Sequence, residues 1–282
     1  MRKWLIGAIG ILAAVGVVFW LAGSAETQEG EGYSVPRNAD GEPDLSGFWQ
    51  ANNSADYDIL SHSAAWQVPG GLGIVEGDEI PYLPDALTKK NQNYAAREDM
   101  DPTSVRCMMA GVPRIMYQPF PFQIVQSPGH IAMVFEYNHH TRLIYTNGTN
   151  HPDGYQAYMG DSRARWEGDT LVVDVTSLTG DTWFDRAGNH HSDQLHIVER
   201  FTRTSPDVIS YEATIEDPQT FSRPWKISMP LYRRQEQNFR ILEYPCHTLK
   251  EEDAQNRGID LKPGWHLREG EVSSTTVQGG AQ

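Results

Sequence analysis

From residue 120 onward, apolar and polar positions alternate in short bursts separated by turn residues. The bursts are "FQIVQS" (122–127), "IAMVFEY" (131–137), "TRLIY" (141–145), "RARW" (163–166), "TLVVDVT" (170–176), "QLHIVERFTR" (194–203), "VISYEATIED" (208–217), "WKISMPLYR" (225–233) and "FRILEY" (239–244). Each is short and rich in β-branched or aromatic residues, as half-buried strands are. The pattern predicts strands at roughly ten-residue spacing with little helix between them, hence an all-β fold of about 8–10 strands. An antiparallel meander closed as a barrel is one solution and a sandwich is the other. "RARW" and "TLVVDVT" flank Glu167-Gly168-Asp169, which reads as a hairpin connection.

Upstream, the pattern is different. Pro84 to Arg97 ("PDALTKKNQNYAAR") starts with proline and continues in good helix formers, so it predicts a surface helix with a thin apolar stripe. Residues 51–82 read as loop. "PDLSGFW" (43–49) reads as a turn followed by an aromatic pair able to plug a core. Residues 26–42 are rich in Glu, Gly and Ser and read as a linker. The tail after residue 250 is expected to be mostly irregular, which places the barrel domain at 43–250.

The N-terminus is a separate object. Arg2 and Lys3 precede an apolar run from Trp4 to Ala22, followed by Gly23-Ser24-Ala25, a small-residue site of the kind signal peptidase accepts. Residues 1–25 are expected to be a signal peptide, or an uncleaved membrane anchor over 4–22. Either reading makes the chain periplasmic or otherwise extracytoplasmic, with any membrane contact made through this segment. The net charge of −14, with no basic stripe, argues against a nucleic-acid partner. Cys107 and Cys246 are the two cysteines. In an oxidising compartment such an isolated pair is expected to form a disulfide, worth ~4–5 kcal/mol on the chain-entropy model.

Four stretches, "GVPR…PFPFQIVQSPGH", "YMGDSRARWEGDTLVVDVT", "TWFDRAGNHHSDQLHIVERFTR" and "YEATIEDPQTFSRPW", resemble a family of exported bacterial proteins. The resemblance spans about residues 43–250. It implies a lipocalin-like (calycin-type) β-barrel and no particular activity, so chemistry has to be read from the residues.

The richest chemistry lies in "TWFDRAGNHHSDQLHIVERF" (182–201). Residues two apart on a strand share a face. A strand beginning near His191 would carry His191, Asp193, Leu195, Ile197, Glu199 and Phe201 on one face. That face is the more apolar, so it is expected to point inward. An inward carboxylate needs a partner, and Arg114, Arg163, Arg165 and Arg223 are candidates. The preceding loop adds Trp183, Asp185, Arg186 and Asn189. One reading makes His191, Asp193 and Asp185 acid–base groups, with Arg186, Asn189, Trp183, Glu199, Arg114 and Tyr137 binding the substrate. The other is structural: a buried ion-pair network, and a capped turn in which Asp185 bonds its own backbone and Gly188-Asn189 supplies the reversal.

No compact metal motif is present. The histidines lack HExxH or finger spacing, and His190 and His196 on one strand would lie about 20 Å apart. A cross-loop site built from His139 or His140, His151 and His191, or a single axial haem ligand, is not excluded by spacing alone. There is no GxSxG elbow, GxGxxG or P-loop. The sequence therefore predicts a cofactor-free, metal-independent enzyme of the lyase or isomerase kind. Its substrate would be a hydrophobic small molecule held in the barrel. The alternative is a non-catalytic carrier for such a molecule.

Overall fold

The computed structural model describes residues 33–256 and 258. The expected signal or anchor segment lies outside them. The chain divides into a unit of Met1–Ser34 and a unit of Val35–Gln282; the account below concerns the second.

Nine strands close into one barrel in sequence order. They are β1 (Gly47–Ala51), β2 (Phe122–Ser127), β3 (His130–Phe135), β4 (Thr141–Tyr145), β5 (Asp161–Glu167), β6 (Thr170–Thr176), β7 (His196–Ser205), β8 (Val208–Glu216) and β9 (Trp225–Arg233). β9 returns to β1 through Trp49↔Arg233, Gln50↔Tyr232 and Ala51↔Leu231. The expected all-β barrel is therefore what forms. Alternation explains it: in β7, Ile197, Glu199, Phe201 and Arg203 point inward and their neighbours outward. β8 and β9 repeat the pattern.

Three details depart from the sequence reading. The barrel is mixed: β4 and β5 run parallel, with Ile144↔Ser162 and Tyr145↔Arg163 in register. Residues 146–160 must therefore double back before β5 can start in the same direction as β4. "FRILEY" (239–244) is not a strand; it contributes only an isolated bridge from Tyr244 to Tyr137. The ninth strand is "GFWQA", which sits between β2 and β9 and leaves no free edge for another.

The helix expected at 84–97 is α1 (Pro84–Met100), and it buries only Ala86 and Asn93. A second helix, α2 (Cys246–Asn256), runs across the expected boundary at residue 250 into the tail expected to be irregular. Its first residue is bonded to Cys107, so the expected disulfide forms. Of the expected linker at 26–42, residues 26–32 lie outside the described residues. Val35 is buried, and Asn38 Oδ1 accepts the N–H groups of Asp40 and Glu42 in a tight turn.

The inside of the barrel is filled by its own side chains, among them Trp49, Phe122, Phe135, Phe201 and Tyr211. The 3₁₀ turn Arg114–Tyr117, buried at all four positions, packs against this core.

Candidate functional site

Four groups of polar side chains are assembled by this fold, and the sequence-predicted residues are divided among them.

The first lies inside the barrel. Glu199 is buried and paired with Arg142, from β4, through both terminal guanidinium nitrogens. Tyr211 donates its hydroxyl to Glu199 Oε1 at 2.8 Å. Arg142 also donates to Ser162 Oγ from Nε at 3.1 Å and from a terminal nitrogen at 3.0 Å. The inward placement of Glu199 is as the alternation predicts. Its partner is not one of the four arginines considered, because β4 and β7 meet only through the closed barrel interior.

The second group ties the 3₁₀ turn to its surroundings. Arg114 is buried and reaches Asp56 with Nε and Asp101 with both terminal nitrogens, each at 2.9 Å. Burial alone would raise the Asp101 carboxyl; the Arg114 fork and the Ser104 N–H outweigh it and hold the group below its ordinary value. Gln118 and Arg186 also donate to Asp56, and Arg186 stacks on the Tyr57 ring. Tyr137 is buried nearby and donates to the Thr103 carbonyl at 2.7 Å.

The third is the loop 182–191 itself. Phe184 N–H donates to the Asn189 carbonyl at 2.7 Å, and Trp183 bridges His190. Asp185 closes this turn from within. Its carboxylate accepts from Asn189 N–H, Asn189 Nδ2 and the Ile59 N–H. It has no exposed surface, and burial, followed by the nearby Asp58 charge, pushes it up to about 7. His191 is equally enclosed. Nδ1 faces the Ser192 carbonyl at 2.8 Å, so it carries the proton and donates. Nε2 then accepts from the Thr182 hydroxyl at 2.7 Å. Burial pushes the ring down to about 4, so it is neutral at pH 7. Gly188 has φ +82°, and a Cβ there would meet the α1 backbone at Tyr94 N at 2.7 Å. The glycine thus permits α1 to seat on the loop, where Asn93 donates to the Gly188 carbonyl.

Asp193 is separated from these residues. β7 begins only at His196. A turn over Ser192–Leu195 interrupts the alternation, with Gln194 N–H donating to Ser192 Oγ. Asp193 therefore sits on the surface, not on the inward face with His191.

The fourth group was not foreseen and lies on the outside. Asp174 on β6 and His196 on β7 both point outward. Asp174 Oδ2 is 3.2 Å from His196 Nε2, and Asp174 Oδ1 is 3.0 Å from His151 Nε2. His151 Nδ1 is 2.7 Å from Asp161 Oδ1, and His196 Nδ1 is 3.5 Å from Glu216. Two imidazoles thus alternate with three carboxylates. The signal was available: Asp174 is the odd polar residue in "TLVVDVT", and the β6–β7 register Val175↔Ile197 brings it beside His196.

Beside this chain runs an open groove of about 480 Å³, walled by residues 154–156, 176–177 and 193–196. Its walls are tied together: Ala157 N–H donates to the Ser177 carbonyl and Thr179 N–H to that of Ala157. Ser177 is held at φ +61°, a left-handed conformation uncommon away from glycine. A larger groove of about 690 Å³, between Gln50 and Glu236, contains no histidine, and its Arg234 is tied to Glu236 and Gln50. Size and chemistry point to different grooves, and the smaller has the reactive groups. Among the described residues, no group of three His, Cys, Asp or Glu is arranged to hold a metal ion.

No protein-family model matches the chain, and no curated protein matches it.

Proposed function

We propose that the protein is an enzyme performing metal-independent acid–base chemistry on a small molecule bound in the outer groove of the barrel. The observation that carries this reading is the meeting of His196, held by Asp174, with a groove that also contains Asp193. Imidazole exchanges protons near neutral pH, and a carboxylate behind it fixes its orientation and tautomer. His196 Nε2 faces Asp174 and Nδ1 stands at the longer distance of 3.5 Å from Glu216, so proton exchange with a ligand would use Nδ1 once that contact opens, with Asp193 of the same groove as the second acid–base group. Isomerisation, dehydration and elimination all need such a pair. The groove's volume lies in the range of small-molecule sites.

The geometry supports this groove over the barrel interior, which is filled. It also supports a structural role for Asp185, His191, Glu199 and Arg114, which are buried away from the groove with their polar atoms bonded to protein partners. The disulfide supports the extracytoplasmic setting that belongs to the proposal.

The test is a fragment screen read by imidazole NMR, followed by solvent-deuterium exchange into the best binder. Binders should shift the His196 ring, and His196→Gln should abolish exchange while binding persists. Binders that leave His196 unmoved, or exchange that survives the substitution, would overturn the proposal.

A further inference from the structure

We infer that the groove beside His196 takes a neutral polyhydroxylated ligand, a saccharide. This rests on the groove being the ligand site and names what it would hold.

Charge is the first argument. No Lys or Arg lines the groove, whereas Asp193 does, and Asp174 and Glu216 stand behind His196. The chain as a whole is acidic, with a net charge of −14. A phosphate, carboxylate or sulfate ligand would meet a repulsive field with no cation to clamp it.

Polarity is the second. Gln156, Gln194, Asp193, Thr176 and Ser177 supply amides, a carboxylate and hydroxyls. A purely apolar ligand would strip water from these groups and return no hydrogen bonds, at a cost for each. A ligand with many hydroxyls satisfies them in place of water.

Aromatic placement is the third. Tyr155 lines the groove and is 47% exposed. It follows directly on Gly154, whose φ of +67° turns the chain there. A half-exposed ring beside amides and a carboxylate is complementary to a pyranose: one C–H face to lie on the ring, and a rim of hydroxyls for the polar groups. The groove is open rather than closed over, which suits a short chain of sugars passing through it. A small cationic amine would satisfy the charge argument but makes no use of the amide and hydroxyl set.

The test uses the full chain, with labelled histidine and tyrosine. His196→Gln and Tyr155→Phe assign the two reporter signals. Probes are neutral trisaccharides (cellotriose, maltotriose and chitotriose), trigalacturonic acid, spermidine and indole. At least one neutral trisaccharide should move both reporters saturably. Tyr155→Ala should weaken that binding about tenfold or more, and Tyr155→Phe by no more than about twofold. Thermal melts establish that each variant is folded. If the uronide, the amine or indole binds there more tightly than every neutral sugar, the saccharide inference falls and the groove remains a ligand site. If no probe of any class moves either reporter, the groove reading falls with it.

Discussion

Arg142 and Glu199 meet inside the closed barrel as a two-pronged ion pair with almost no access to water. Such a pair is far more costly to halve than to remove. Glu199→Gln or Arg142→Met alone should destabilise by about 3–5 kcal/mol, because one charge is left buried without its partner. The double variant Arg142→Met with Glu199→Leu should recover a substantial part of that loss. Urea denaturation of the three variants checks this; a double variant as unstable as the sum of the singles would contradict it.

Asp185 and His191 should give stability opposite dependences on pH. Asp185 is raised from 3.8 to about 7, so the folded state holds its proton more tightly than the unfolded state. Its contribution is complete below the unfolded value and is lost as pH rises to about 7. His191 is lowered from 6.5 to about 4, so its contribution is present above the unfolded value and is lost as pH falls toward 4. Across pH 4–6.5 the two slopes oppose each other, each limited to about 1.4 kcal/mol per pH unit. Asp185→Asn should therefore make the stability profile rise more steeply with pH than the parent's, and His191→Gln should make it rise less steeply. Chemical denaturation at a series of pH values between 4 and 8 measures both differences.

At the outer groove the expected pattern is reversed. His196 and Asp174 are partly exposed and their contact is weakened by water. His196→Gln and Asp174→Asn should change stability by no more than about 0.5 kcal/mol. Turnover of the groove's ligand should fall by about a hundredfold or more in His196→Gln. Melts and exchange rates on the same preparations decide it; large destabilisation with unchanged turnover would make the cluster a structural one.

Thiol titration of the unfolded, unreduced protein should find no free cysteine, since Cys107 and Cys246 are bonded. The bond joins positions 139 residues apart and fastens the start of α2. Cys107→Ser with Cys246→Ser should cost about 2–5 kcal/mol. α2 buries only Cys246 and Ala254, so it should be the first element to lose protection from hydrogen exchange in that variant.

The barrel was legible because period-two alternation is imposed by burial itself: β7, β8 and β9 read directly from their apolar positions. β1 was hidden because "GFWQA" is too short to show a period, and because a barrel's closing strand is defined by two distant partners. The chemistry of 182–191 was legible as residue types but not as a role. Buried loops need side chains to satisfy their backbone, as Asp185 does for the N–H groups of Ile59 and Asn189, and residue types alone do not separate such contacts from a reactive wall. The His151–Asp174–His196 chain was illegible for the opposite reason. Its members lie on three segments, and His151 reaches the others only through the return path between β4 and β5.

That return path has a consequence for how the molecule can change. Every other inter-strand connection between β2 and β6 is a short hairpin whose length fixes the pairing of its two strands. Residues 146–160 are free of that constraint, because parallel neighbours are not held in register by the turn that joins them. Between its fixed points, His151 bonded to Asp161 and Asp174 and Ala157 tied to Ser177 and Thr179, the stretch 152–156 can be exchanged or lengthened while the strand number and stagger of the barrel stay the same. It also supplies Gly154, Tyr155 and Gln156 to the groove. On the proposed reading of the groove, a library built there is expected to vary recognition on an unchanged frame.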